Sequence, residues 1–180
     1  VAMMRPGDKL ASYRLLGRAL NLIAEPPWQL LVAGDGPVRD NVEEALRPIG
    51  SDIVFFAGEQ NSEDLIAYYA AADLFVWPAV NEAFGMVLLE AAAAGLPVVA
   101  GNWRGVSEIV ATSETGILID PWDDVEFAEA VVDLTRNNPR RVAMAEAAAA
   151  RAESKHGMMA AVTVLNQALA AAQAIRRGTR

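Results

Sequence analysis

Two glutamates, Glu82 and Glu90, bracket the start of a helical pattern at residues 85–94, directly after an apolar run at 74–77. The first amides of a helix have no intrahelical partner, and the helix dipole adds positive potential there. Such a start suits a phosphate, and Gly85 lets a ligand come close to the backbone. Glu82 stands just ahead of this start and Glu90 about two turns inside, on the order of 10 Å along the axis at about 1.5 Å per residue. An ionised carboxylate only accepts hydrogen bonds, so each acid suits a pair of hydroxyls. The spacing thus allows an anion at the helix mouth with a polyol on either side. The plainer alternative is one acid complementing a helix start and one solvated glutamate.

Charge sharpens the choice. Between Arg47 and Arg104 the chain holds no lysine or arginine but seven acids, so a bound diphosphate needs cations from elsewhere. Arg5 and Lys9 follow the first apolar run, Arg39 follows the second, and Arg104 the fifth. The first two are the best placed, because the first strand of a doubly wound sheet is central. Gly34-Asp35-Gly36-Pro37 has the form of a dinucleotide loop, but Arg39 replaces its third glycine, so a tight turn is the better reading. Gly58 and Glu59 open another loop whose amides could meet a base edge. Trp77 and Trp103 end strands, where stacking on a ligand ring is one reading and core packing the commoner one. His156, the single histidine, has no partnering acid pattern and is expected at the surface. Asp-x-Asp, Gly-x-Ser-x-Gly and P-loop patterns are all missing.

These residues must be positioned by an alternation of short apolar runs and longer helical patterns. Strands are expected at 1–4, 29–33, 53–57, 74–77, 98–100 and 116–119. Helices are expected at 10–23, 38–46, 62–72, 85–94 and 106–110, followed by C-terminal helices at 123–137, 139–153 and 158–177. Runs that are apolar throughout belong to strands covered on both faces. The prediction is an α/β, Rossmann-like, doubly wound parallel sheet of about six strands with C-terminal helices. Ligands of such sheets bind at the C-terminal strand ends.

The 180 residues read as a single domain, and the opening at Val1 inside a strand pattern suggests a piece of a longer polypeptide. The formal charge is 15 − 23 = −8, which argues against nucleic acid as a partner. Without cysteine there are no disulfides, thiolate nucleophiles or Cys-based zinc sites. No uncharged apolar run is read as reaching the roughly 18–20 residues of a membrane span, and neither a signal peptide nor an integral membrane segment is expected.

With these residues in view, the sequence resembles the retaining nucleotide-sugar glycosyltransferases of family four, or group one. The likeness is to the C-terminal, donor-binding domain of their GT-B architecture. Its signature is Glu82, seven residues and Glu90, running through alanines 91–94 into Gly95-Leu96-Pro97-Val98. It extends through Leu31-Val-Ala-Gly-Asp-Gly-Pro37, Phe56-Ala-Gly58, Tyr69-Ala-Ala-Ala-Asp-Leu-Phe-Val76, Gly105-Val-Ser-Glu-Ile-Val110 and Thr115-Gly-Ile-Leu-Ile-Asp-Pro121.

The resemblance implies that Glu82 contacts the transferred sugar and Glu90 the ribose diol. Phe84, Gly85 and Met86 would give amides to the sugar or distal phosphate. Gly58 and Glu59 would face the base. Lys9, with Glu82 a candidate catalytic residue, would hold the diphosphate. The usual family arginine falls on Met3 in one ungapped alignment, and Arg5 is its nearest substitute. Arg104 puts a side chain where the family has glycine, so it is expected to touch donor or acceptor. A nucleoside diphosphate sugar would be a substrate, and neither a metal nor a cofactor is expected. The acceptor domain would lie in an N-terminal half outside these residues, and the last helix would cross back to it. The stripe of Val162, Leu165 and Leu169, with Ile175 beyond, would then be open here, and pairing of two copies through it is an expectation. A cytoplasmic location follows the same resemblance. The alternatives are half of a sugar-nucleotide epimerase, a non-catalytic sugar-nucleotide sensor and a nicotinamide-binding domain.

Overall fold

The computed structural model describes residues 1–178. The expected alternation forms as β1 (Leu30–Ala33), β2 (Val54–Gly58), β3 (Phe75–Trp77), β4 (Val98–Gly101) and β5 (Gly116–Ile119). Between and around them run α1 (Asp8–Asn21), α2 (Arg39–Leu46), α3 (Ser62–Ala71), α4 (Met86–Ala93) and α5 (Val106–Ile109). Three helices close the chain: α6 (Asp124–Arg136), α7 (Asn138–His156) and α8 (Met158–Gly178). Every strand pair is parallel, as crossover helices require. β4 is buried at every residue, which is why it reads as an unbroken apolar run.

The expected sixth strand at 1–4 is extended without being a member of the sheet. Ala2 and Met4 donate their amides to the carbonyls of Ala33 and Asp35, at 3.0 and 2.8 Å. The Ala2 carbonyl instead accepts the Tyr13 hydroxyl at 3.0 Å. The five strands therefore divide into β1–β2 and β3–β4–β5, rather than one continuous sheet. A groove of about 950 Å³ runs between them, lined by Val1, by Leu30 and Leu31 of β1 and by Phe75 and Val76 of β3.

One core nevertheless spans both halves, from Tyr13, Leu16 and Leu20 of α1 through Trp77, Leu88 and Val99 to Phe127 and Leu134 of α6. Helix α1 meets α2 closely at Gly17, where a Cβ would stand 2.2 Å from the Ala45 carbonyl oxygen. Ala92, Ala148 and Ala152 let α4 lie against α7.

In α8, Val162, Leu165, Leu169 and Ile175 are all exposed. One stretch bears on the expectation about membrane segments. Residues 138–176, which hold α7 and most of α8 on either side of Gly157, contain an 18-residue window of mean hydropathy 1.4, long and apolar enough to cross a membrane by length and composition. Alanine raises the average although Asn166, Gln167 and Gln173 interrupt the apolar run.

Candidate functional site

The loop from Pro78 to Gly85 leaves β3 under strain. Ala79 and Asn81 both adopt positive φ, at 55° and 51°, a conformation costing non-glycine residues about 1–3 kcal/mol. The surrounding contacts hold it. The Val80 amide donates to the buried Ser12 hydroxyl at 2.9 Å, and that hydroxyl donates in turn to the Asp8 carbonyl at 2.9 Å. The Asn81 side-chain amide donates to the Asp8 carboxylate at 3.1 Å. Lys9 Nζ donates to Glu82 Oε2 at 2.6 Å. Three contacts thus stitch the first two turns of α1 to this loop, across separations of 68 to 73 residues.

Lys9 was expected in a loop; α1 begins two residues earlier than predicted and carries it in the first turn. Its side chain is about one-fifth exposed, as is that of Glu82, and its ammonium lies 5.6 Å from the Trp77 ring centroid. Trp77 is itself braced edge-on by Tyr13 at 5.0 Å, so the lysine stands on a fixed aromatic platform.

Gly85 caps α4 in the left-handed conformation, φ 83° and ψ 55°. A Cβ there would stand 2.9 Å from Leu88 Cδ1 and 3.4 Å from Glu82 Cγ. That second distance places Glu82, and the lysine bound to it, beside the mouth of α4. The loop after β4 closes on the same mouth, for a Cβ on Gly105 would meet the Ala83 carbonyl at 2.3 Å. Phe84 and Met86 are exposed beside it.

Glu90 is exposed on α4, with its Oε2 accepting the Tyr69 hydroxyl at 3.0 Å. Arg104 adopts φ 27°, in the region glycine favours, with its side chain exposed. Arg5 is exposed and forms no ion pair among the described residues, so the structure does not bring it into the Lys9–Glu82 cluster. Gly58 ends β2 and Glu59 follows it, with Gly58 beside a different cluster: Arg39 donates to Asp35 at 2.9 Å and to Glu43 at 2.8 Å, and its guanidinium lies 5.8 Å from the Phe56 ring centroid. Among the described residues, no three acidic or histidine side chains gather as they would around a metal ion.

Three features escaped the sequence reading. The Lys9–Glu82 and Tyr69–Glu90 pairs join distant positions with no local pattern to announce them. His156, expected at the surface, instead sets its ring edge-on to Phe84 at 6.3 Å, and its Nε2 is buried without a partner. The residue it meets lies 72 positions away, so no spacing signal could have found this.

The profile described as "Glycosyl transferases group 1" matches residues 9–151. A D-inositol 3-phosphate glycosyltransferase from Corynebacterium kroppenstedtii is 38% identical over 156 residues, covering 81% of this chain and 35% of that protein. A GDP-mannose-dependent alpha-(1-6)-phosphatidylinositol monomannoside mannosyltransferase from Mycobacterium tuberculosis is 36% identical, covering 66% of this chain and 33% of that one. The chain spans about a third of the length of these curated relatives. Anabaena Alr3699/HepE, solved with UDP and glucose, superposes with a TM-score of 0.77 at 26% identity, over 96% of this chain and 46% of that one.

Proposed function

The chain belongs to the group 1 glycosyl transferases, and from that premise we propose that it is the donor-binding half of an enzyme moving a sugar from a nucleoside diphosphate to an acceptor. The observation that carries this reading is the 2.6 Å contact between Lys9 and Glu82 at the mouth of α4. It puts a cation and a hydroxyl acceptor side by side where a sugar diphosphate needs both. As the donor arrives, its diphosphate takes Lys9 and its sugar hydroxyls take Glu82, so each side chain exchanges a partner rather than losing one. The free amides at the start of α4 add donors aimed at the same anion.

In this reading the leaving diphosphate is stabilised by Lys9 and the helix start, without a metal, and the anomeric configuration is retained. Fixed donors of this kind act where charge develops, and removing one typically costs about 3–4 kcal/mol of barrier. Glu90 holds the ribose diol, Gly58 and Glu59 border the base, and Arg5 and Arg104 reach the donor from the rim. The acceptor site lies in a preceding domain, against which the open stripe of α8 packs. The protein works in the cytoplasm, and residues 1–180 alone bind nucleotide weakly and turn over nothing.

Calorimetric titration with UDP, GDP, ADP and NAD tests this. The expected result is heat from at least one nucleoside diphosphate, lost on Lys9→Ala. Tight NAD binding without response to any diphosphate would favour the dinucleotide reading. A transferase rate from residues 1–180 alone would overturn the division of labour between the two halves.

A further inference from the structure

We propose that Tyr69 is a positioning residue that presets Glu90 for a vicinal diol, and so sets how strongly the site prefers a ribose to a deoxygenated sugar; this rests on the reading of Glu90 given above. Glu90 is a three-torsion side chain on an exposed helix face, and a free glutamate there samples many rotamers. Its Oε2 instead accepts the Tyr69 hydroxyl at 3.0 Å. Tyr69 cannot follow a wandering carboxylate. It is 6% exposed, sits in the last turns of α3, and packs its ring against Phe75 at 6.0 Å between centroids. A clamped donor therefore fixes a carboxylate carried by another helix, 21 residues on.

The chemistry of the pair favours a diol. An ionised carboxylate offers about four acceptor positions. Tyr69 takes one on Oε2, which leaves Oε1 and the second lone pair of Oε2 as acceptors. Two adjacent hydroxyls can then donate one to each oxygen, in the fork geometry that single hydroxyls do not use. Burial, with Glu90 beside it, raises the Tyr69 hydroxyl above its ordinary pKa, so the phenol keeps its proton as a donor. A neutral donor leaves the carboxylate charge intact for the ligand.

The test compares affinities for UDP, GDP or ADP, whichever binds best, with its 2′,3′-dideoxy counterpart, in the unmodified chain, Tyr69→Phe, Glu90→Gln and the double variant. Phenylalanine keeps the ring and its packing, and a melting curve checks the fold. Tyr69→Phe is expected to lower the ribo-to-dideoxy preference by about three- to tenfold, the range of one hydrogen bond. Affinity for inorganic pyrophosphate, which has no diol, should not move. In the Glu90→Gln background, Tyr69→Phe should change the preference no further. An unchanged preference in Tyr69→Phe, with a collapsed one in Glu90→Gln, would overturn this role and leave the reading of Glu90 standing. An unchanged preference in Glu90→Gln would overturn both. Should Tyr69→Phe melt early, Glu90→Asp, which withdraws the acid from the clamped phenol, must show the same loss of preference or the role is wrong.

Discussion

Glu82 and Glu90 sit eight positions apart, yet one is held by a cation in a half-buried loop and the other by a neutral phenol on an open helix face. The difference lies in what a ligand must undo. At Glu82 the ion pair has to open, and both of its partners then find new ones on the ligand. At Glu90 nothing opens, because the phenol occupies one oxygen and leaves the rest of the carboxylate to the ligand. One acid belongs to an exchangeable pair and the other to a preset one.

The largest expected effect attacks the exchangeable pair. Lys9→Ala should weaken nucleoside diphosphate binding by on the order of 10- to 100-fold, the range of a charge-assisted hydrogen bond. Glu82→Gln should behave in the opposite sense for the plain diphosphate, whose affinity holds or rises because Lys9 is released. It should lower only the extra affinity that an attached sugar brings. Calorimetry of the two variants with a diphosphate and its sugar derivative separates these outcomes. Equal losses in both variants would mean that the pair does not exchange.

Next comes the glycine at the helix mouth, which both acids flank. Gly85→Ala places a Cβ at φ 83° and 2.9 Å from Leu88, a side chain with no exposed surface. A loss of about 1–3 kcal/mol in denaturant unfolding is expected. Glu90→Ala on the exposed face should stay within about 1 kcal/mol, the loss of a single hydrogen bond. Comparable losses would contradict the strain assigned to Gly85.

These sites differ in how legible they were. Gly85 and Glu82 announced themselves because a strand end, a glycine and a helix pattern are adjacent in sequence, and the cation desert from Arg47 to Arg104 directed attention to Lys9. Most elements were legible too, since β4 and α1 carry their periodicity in consecutive residues. The clamp on Glu90 was not, for Tyr69 lies 21 positions away in another helix and no local pattern announces the pairing. Residues 1–4 misled because an apolar run predicts burial, which occurs only at Ala2 and Met4, and says nothing of whether the carbonyls find a strand. Tyr13 took that of Ala2. His156 was missed because its neighbour Phe84 lies 72 positions away, brought near only when α7 packs on α4.

Ionic strength sharpens the contrast at lower amplitude. Lys9 acts through charge, so raising salt from about 0.05 to 0.5 M, which shortens the screening length from above 10 Å to below 8 Å, should weaken diphosphate binding several-fold. The ribo-to-dideoxy preference, set by hydrogen bonds at Glu90, should hold across the same range. A preference that falls in step with affinity would show that charge dominates at both acids.

The smallest effect belongs to an acid outside the pair. Asp35 accepts the Gly36 amide at 2.7 Å and the Arg39 guanidinium at 2.9 Å, and these contacts, the amide first, hold its carboxyl below the usual value. A depressed folded value stabilises the protein above the unfolded carboxyl pKa of about 3.9, and that contribution is lost as pH falls through the folded one. Because this carboxylate is open to water, its share is small. Unfolding midpoints between about pH 6 and 2 should therefore fall slightly less for Asp35→Asn than for the unmodified chain, with the difference confined to the acid end below about pH 4. Diphosphate affinity near neutral pH should be the same in both. A loss of diphosphate affinity in Asp35→Asn would draw the Arg39 cluster into the phosphate site, and Lys9 would no longer be the cation on which the exchange depends.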